Sequence, residues 1–588
     1  MWIRKKSSAL DYRKKNRVKV AKTIIQFSVL LLVGFVLFHA LVDVEKYTEP
    51  NRQKWSNDKG FVALSYFGVS RSGTPKLIAK KQLDKQLKAL KDQGYVTISQ
   101  QDVLDFYHKG KKLPDKALFL SFEDGRNDSG LFSQPLLEKY NFKATFLSYA
   151  NKMGNSDRKF LQPSDMKKMM KNGYWELGSN GYRLTYINIV DSANNFIGVK
   201  DENELKNKIK IDYYNHYLMD FIRDADMIPT EDRSQMEKRI SADYKLMEEI
   251  YTDRLGFVPN VYMIMHANAL NEGKNRLVSD ANNVNIQRIF KMHYNREGVS
   301  FNGKDNDVYD LTRVQPAPYW YTNHLLMKIQ KDTGQEMNFL AGDSDRADDW
   351  IAIRGAAEFL DNRIALTSEP SRSGFLALKE SDNYRDVEIT ADLAGNVVGR
   401  QSIYARHDSR KDSFIRVSLD NNILTVEQKK PGQAIEKLLE SELDEIDWKD
   451  TDLALNKATV YSKTQTSQVD LTEESQYPVN IANKRKVGIS LRGNDMKVLI
   501  DGQEMPIDRD IDASIDKGMI AIESEFNKQS EKDDIYDGVF DDFKVVLQKQ
   551  DGQRGETLYS NSFEGLEKWL SSAKRGLDST VDWMIETF

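Results

Sequence analysis

The pattern of apolar and polar positions divides the chain into three textures. From Phe61 to about Gln330, short apolar runs alternate with stretches of helical period. FVALSYFGV reads as a strand. In KKQLDKQLKALKDQGY, Leu83, Leu87 and Leu90 share one helical face and Gly94 ends the element. Strands follow at ALFLSF (117–122), KATFLSY (143–149) and WELGS (175–179), separated by helical patterns at 133–140 and 163–173. Further strands are predicted at 260–265 and 307–315. Repeated β–α–β units specify a parallel sheet, open or closed into a barrel. Residues 192–255 are densely charged with helical periodicity, clearest in MEKRISADYKLMEEIY. They are predicted as an inserted helical lobe, or as an outer helix of the barrel.

After about Asp348 the period changes to two. GFLALKES, RDVEITADL, SFIRVSLDNNILTVEQ and KGMIAIESEF alternate apolar and polar positions, with turn signals such as Asp420-Asn421-Asn422 and Asp501-Gly502 between strands. That texture predicts an antiparallel β-sandwich over 348–549. The tail, 550–588, carries an amphipathic helical pattern at Leu566, Trp569, Leu570, Val581, Met584 and Ile585.

The third texture is Thr23 to Val42, twenty residues without a formal charge. As a helix it would span about 30 Å, the thickness of a bilayer core. Residues 1–22 carry nine Lys/Arg and one acid, and no comparable basic cluster follows. The positive-inside rule then predicts one uncleaved transmembrane helix, with a cytoplasmic N-terminus and everything beyond residue 43 outside. A cleaved signal peptide is the competing reading, against which LFHALVDVE offers a poor cleavage site. The expected organisation is a basic tail (1–22), a membrane anchor (23–42), a linker (43–60), an α/β domain (61–335), a sandwich (348–549) and the tail.

Length and composition support several domains: 588 residues exceed one core, and 40% are hydrophobic with 30% charged. The formal charge is −4, which leaves −12 beyond residue 22. An acidic exterior argues against a nucleic-acid partner. Cysteine is absent, which excludes thiol catalysis and Cys-based zinc sites.

In parallel α/β folds, loops after the C-terminal strand ends build the site. Glu123 and Asp124 follow ALFLSF; Asn180, Tyr182 and Arg183 follow WELGS; His266 and Asn268 follow NVYMIM; Arg313 lies near the end of DVYDLTRVQ. An acid pair after a strand also serves to cap a helix, so the signal is the convergence of four strand ends. Paired carboxylates cleave glycosidic bonds without metal when they flank a substrate at about 5–10 Å. Glu123 and Asp124 are adjacent and would need a further acid from elsewhere.

The blocks ALFLSFEDG, LLEKYNFKATFLSY and MKKMMKNGYWELGSNGYRL resemble, in order and spacing, the polysaccharide deacetylases of the NodB-homology, carbohydrate-esterase type. The resemblance covers residues 61 to about 330 and implies a distorted (β/α) barrel. It places the general base on Glu123, where the family has Asp, and a metal-binding carboxylate on Asp124. The family's two metal-binding histidines would fall on Asn180 and on Leu184 or Thr185, so neither imidazole is present. The family's Arg-Pro-Tyr block is also missing, since the chain there reads YMIMHANAL. A hydrolytic zinc site usually has three protein ligands and an open position for water. The departure implies that no metal cofactor is bound, with His266 the one nearby imidazole.

The sandwich resembles concanavalin-like, laminin-G-type domains through RDVEITADL, NDMKVLIDGQEM, KGMIAIESEF and GVFDDFKVVL. Such domains bind glycans or act as scaffolds, and Tyr384, Tyr404 and His407 are the aromatic candidates; His407, beside Arg406, is expected to be structural. The expectation is a membrane-anchored extracytoplasmic protein of exopolysaccharide or cell-wall polysaccharide metabolism. It would hold glycan in a cleft formed by Asn180, Tyr182, Arg183, His266 and Arg313. Two alternatives stay open: an active hydrolase using Glu123 and Asp124, or a scaffold for a membrane polysaccharide synthase or export complex.

Overall fold

The computed structural model describes residues 46–563 except 75, 155–158, 192, 206–210, 265–274, 395–398, 421–422, 444–483, 508, 527–533 and 550–553, together with 19–20, 22–24 and 26–28. Most of the predicted anchor, His266, Asn268 and the amphipathic tail from 564 lie outside the described residues. Among those described, no helix is long and apolar enough to cross a membrane.

The first domain is built on strands β1 (Gly60–Tyr66), β2 (Ala117–Phe122), β3 (Ala144–Tyr149), β4 (Trp175–Gly181), β5 (Val261–Met263), β6 (Met292–Glu297) and β7 (Leu311–Arg313). They pair in that order and all in parallel. Backbone bonds Ser65 N–H to Val314 O (2.9 Å) and Val314 N–H to Ala63 O (3.1 Å) bring β7 back to β1, so the sheet nearly closes into a barrel. Strand β2 is buried at every position, as a strand covered on both faces requires. Leu118, Leu120 and Phe122 face the helical layer, while Ala117 and Phe119 join Phe61, Leu147, Met263 and Tyr294 in a separate inner cluster. Helices α1 (Lys80–Asp92), α2 (Gln100–Lys109), α3 (Asn127–Tyr140), α4 (Pro163–Lys171), α5 (Arg233–Leu255), α6 (Arg276–Ile289) and α7 (Thr322–Thr333) complete the units. Val103, Leu104 and Phe106 of α2 belong to the inner cluster.

Residues 192–255 differ from the predicted helical insertion. Strands Thr185–Asp191, Phe196–Asp201 and Ile211–His216 form a small antiparallel sheet, and only then does α5 begin. Its β-branched and aromatic runs, TYINIV and DYYNH, decide the strand conformation, and the charges lie between them. Helix α5 is an outer helix of the barrel: Met236, Ile240, Tyr244, Met247, Tyr251 and Leu255 form a buried stripe at helical spacing.

The second domain is two antiparallel sheets sharing one core. One runs Trp350–Arg354, Ser373–Leu378, Met519–Phe526, Gly399–Asp408, Ser413–Asp420, Ile423–Lys429, Ile435–Glu442. The other runs Ala356–Leu360, Arg363–Thr367, Asp537–Gln548, Val387–Ala394, Lys484–Arg492, Asp495–Ile500, Gln503–Glu504. Strand Arg554–Ser560 pairs with Asp537–Gln548, so the sandwich continues past the predicted boundary at 549. The domains meet at Asp537, whose carboxylate accepts the Tyr321 N–H at 3.0 Å, lies 3.0 Å from His324 Nδ1 and accepts the Thr367 hydroxyl at 2.6 Å.

Candidate functional site

The acid pair sits where β2 ends. Glu123 N–H still donates to Tyr66 O of β1 at 2.8 Å, the last bond of the strand ladder. The chain then turns through two left-handed residues, Asp124 (φ 67°) and Gly125 (φ 66°), before α3 starts. Aspartate tolerates this region better than most residues. At Gly125 the requirement is double, because a Cβ there would lie 3.1 Å from Ser148 Cβ and 3.2 Å from Ser148 Cα. The Asp-Gly half of the motif therefore serves the turn and its close approach to the end of β3.

Glu123 points to Arg313, whose Nε lies 3.1 Å from Glu123 Oε1. The same guanidinium reaches Glu297 Oε2 at 3.1 Å. The Arg313 and Glu123 side chains are 6% and 8% exposed, so the pair is held away from water. Burial works against the Arg313 cation, but the two carboxylates outweigh it and raise its pKa. Asp124 has a different environment. Its N–H donates to Asn180 Oδ1 at 3.1 Å, and Asn180 is 3% exposed. Burial, then the Glu202 carboxylate, push the Asp124 carboxyl up to about 7; Arg126 and Lys159 oppose the shift. The Tyr149 phenol, at the end of β3, is pushed well above its usual range by burial and then by Asp124.

Four predicted residues thus come together: Glu123, Asp124, Asn180 and Arg313. Arg183 does not join them. It turns to α5, where its Nε lies 3.5 Å from Asp243 and its guanidinium stacks on Tyr217 and Tyr182. Tyr182 contributes its carbonyl, which accepts Asn151 N–H at 2.9 Å. Asp243 rises to about 6 through burial, with Arg183 holding it down. Glu202, Arg126, Tyr149 and Tyr186, which act electrostatically around Asp124, and Glu297 on Arg313 are not among the sequence candidates. Glu297 and Tyr149 close strands β6 and β3, and the rule that strand ends carry sites would have found them. Glu202 directly follows the second strand of the small sheet, Phe196–Asp201, and had no sequence signal.

Residues 110–256 match the family model described as polysaccharide deacetylase. The match supports a polysaccharide deacetylase (NodB-like) domain over this part of the chain. YxkH of Bacillus subtilis (strain 168), named as a polysaccharide deacetylase, is 30% identical over 110 residues, 19% of this chain and 38% of YxkH. The match thus spans well under half of that relative's length. Among solved structures, a de-N-acetylase from Aggregatibacter actinomycetemcomitans is 17% identical, with a TM-score of 0.34, over 45% of this chain and 98% of its own. The BpsB deacetylase domain from Bordetella bronchiseptica is 14% identical, with a TM-score of 0.34, over 46% and 98%.

Where the resemblance places two imidazoles, the chain carries Asn180 and Leu184 or Thr185, which do not supply that donor set. Asn180 Oδ1 is engaged by the Asp124 N–H. The Thr185 hydroxyl donates to Asp201 Oδ1 at 2.5 Å, and Leu184 offers no donor. Among the described residues, no group of three or more His, Asp or Glu side chains is placed to hold a metal ion. In the sandwich, Tyr404 and His407 lie on one sheet face with Phe375 and Phe414. The Tyr404 hydroxyl donates to Glu523 at 2.7 Å and the His407 pKa is lowered by burial. Tyr384 packs at the edge of the sandwich core.

Proposed function

We propose that the barrel mouth around Asp124 binds polysaccharide and that the domain has lost metal-dependent deacetylation. In this reading the protein serves exopolysaccharide or cell-wall polysaccharide metabolism. Residues 23–42 anchor it in the membrane, both domains lie outside, and the concanavalin-like sandwich is a second glycan contact. Its protein partners would be subunits of a polysaccharide synthase or export complex. The observation that carries the reading is that a neutral amide, Asn180, stands at the imidazole position, with its Oδ1 accepting the Asp124 N–H. Zinc bound by one carboxylate, an amide and a hydroxyl would lack the ligands that lower the pKa of bound water.

The test is acetate release from acetylated polysaccharide by the purified protein supplied with excess Zn²⁺. The expected result is no release above the protein-free rate. Release that Glu123→Gln abolishes would overturn the reading.

One observation favours a second reading, a metal-free hydrolase. Burial and Glu202 push the Asp124 carboxyl up to about 7, where a carboxyl can act as a general acid. A glycan cleavage product that disappears in Asp124→Asn would establish it.

A further inference from the structure

The segment expected as a linker is bound along one end of the barrel. Tyr47 N–H donates to Asn172 O at 2.9 Å, its ring meets Tyr174 edge-on at 5.5 Å, and Lys143 Nζ lies 4.4 Å over it. Thr48 and Asn141 exchange two hydrogen bonds, at 3.0 and 2.8 Å, and Glu49 pairs with Lys143 at 2.9 Å. Arg52 forks onto Asp102 of α2 at 2.8 and 3.2 Å. Ser56 donates to Asp115 at 2.6 Å, and Asn57 and Leu113 exchange backbone bonds at 3.0 and 2.8 Å. The chain then enters β1 at Gly60.

These partners lie just before β4, β3 and β2 in sequence, so residues 47–57 run beneath the N-terminal ends of successive barrel strands. Glu123, Tyr149, Asn180 and Arg313 occupy the C-terminal ends of β2, β3, β4 and β7. Strand β2 ties the two faces together: Ser56 holds Asp115 before it, and Glu123 follows it. Six residues of extended chain separate the faces by about 20 Å.

The uncharged run ends at Val42, and Tyr47 is already bound. The intervening chain spans at most about 18 Å even when fully extended. The same face carries exposed Lys54, Lys59, Lys109, Lys111 and Lys112; Lys109 and Lys111 share the buried Asp105 at 2.8 and 2.6 Å and Lys112 pairs with Asp58 at 2.7 Å, so lysines still outnumber their acidic partners. Resting on the membrane anchoring proposed above, we infer that the strand-N-terminal face of the barrel, fixed by residues 47–57, lies toward an anionic bilayer. The candidate cleft then opens away from the membrane. The site would meet polysaccharide that has already left the bilayer surface rather than a saccharide held at headgroup level.

The chain lacks cysteine, so single labels are unambiguous. Full-length Lys112→Cys and Leu131→Cys proteins, each with one fluorophore, are placed in phosphatidylcholine–phosphatidylglycerol liposomes containing a headgroup-quencher lipid. Leu131 is 67% exposed in α3, shortly after the acid pair. The expected result is at least threefold stronger quenching at 112 than at 131. Adding Tyr47→Ala and Arg52→Ala, with the thermal transition of the barrel as a folding control, is expected to remove the difference. Equal or reversed quenching in bilayer-bound protein, or a difference that survives release of the segment, overturns the inference alone. Protein that washes off the liposomes at alkaline pH overturns the anchoring reading and this inference with it.

Discussion

Arg313 Nε meets Glu123 Oε1 at 3.1 Å across 190 positions of sequence, joining the last strand of the barrel to the acid pair at the end of the second. The carboxylate at the general-base position is therefore a buried ion-pair partner first. Removing one member of such a pair strands the other without water. Arg313→Ala is expected to cost about 3–5 kcal/mol of stability, measured by chemical denaturation. Arg313→Lys should recover only part of it, because one ammonium cannot serve Glu123 and Glu297 with the guanidinium's fork. A loss below about 1 kcal/mol, the value of an exposed pair, would contradict the burial described.

Asp124 supplies a pH signature. Its folded pKa of about 7 lies above the ordinary value of 3.8, so the folded state holds a proton that the unfolded chain gives up first. Its contribution is therefore present at low pH and is lost as pH rises from about 4 through about 7. Asp124→Asn should flatten the stability profile over that window and be more stable than the parent at pH 8. Glu176 and Asp243, raised to about 7 and about 6 by burial, remain in both proteins and cancel in the comparison. Identical slopes for the two proteins would show that Asp124 is not desolvated.

Gly125 and Gly334 share a left-handed φ, 66° and 67°, but differ in their surroundings. A Cβ at Gly334 meets nothing within 4 Å, whereas one at Gly125 meets Ser148 at 3.1 Å. Gly334→Ala should cost about 1–2 kcal/mol from backbone strain. Gly125→Ala should cost more, the excess reporting the contact with the end of β3. Thermal melts of the two variants give the comparison directly.

The barrel was legible where burial on both faces leaves an uninterrupted apolar run, as in ALFLSF, and where Leu83, Leu87 and Leu90 mark a helix face. The acid pair and Arg313 were found by their place at strand ends. The small sheet is hidden in the sequence because the charges flanking its short strands mask their β-branched and aromatic interiors. Sequence adjacency to Asn180 does not say which way the Arg183 side chain turns; Asp243, on α5, draws it away from the cleft. Glu202 acts on Asp124 only through the tertiary fold. The role of residues 47–57 was invisible for a related reason: a polar, charged stretch reads as solvated until its partners are known. The sandwich was legible from its alternation, but its final strand fell in the segment assigned to the tail.

The central claim is that the barrel mouth holds polysaccharide. Its most direct test is equilibrium binding of the full-length protein to a panel of acetylated and unacetylated oligosaccharides, with Asp124→Leu and Asn180→Ala measured alongside the parent. The account predicts binding of at least one acetylated oligosaccharide, weakened at least tenfold in the variants, a change of about 1.4 kcal/mol. Binding that both variants leave unchanged, or no binding to any member of the panel, would contradict it.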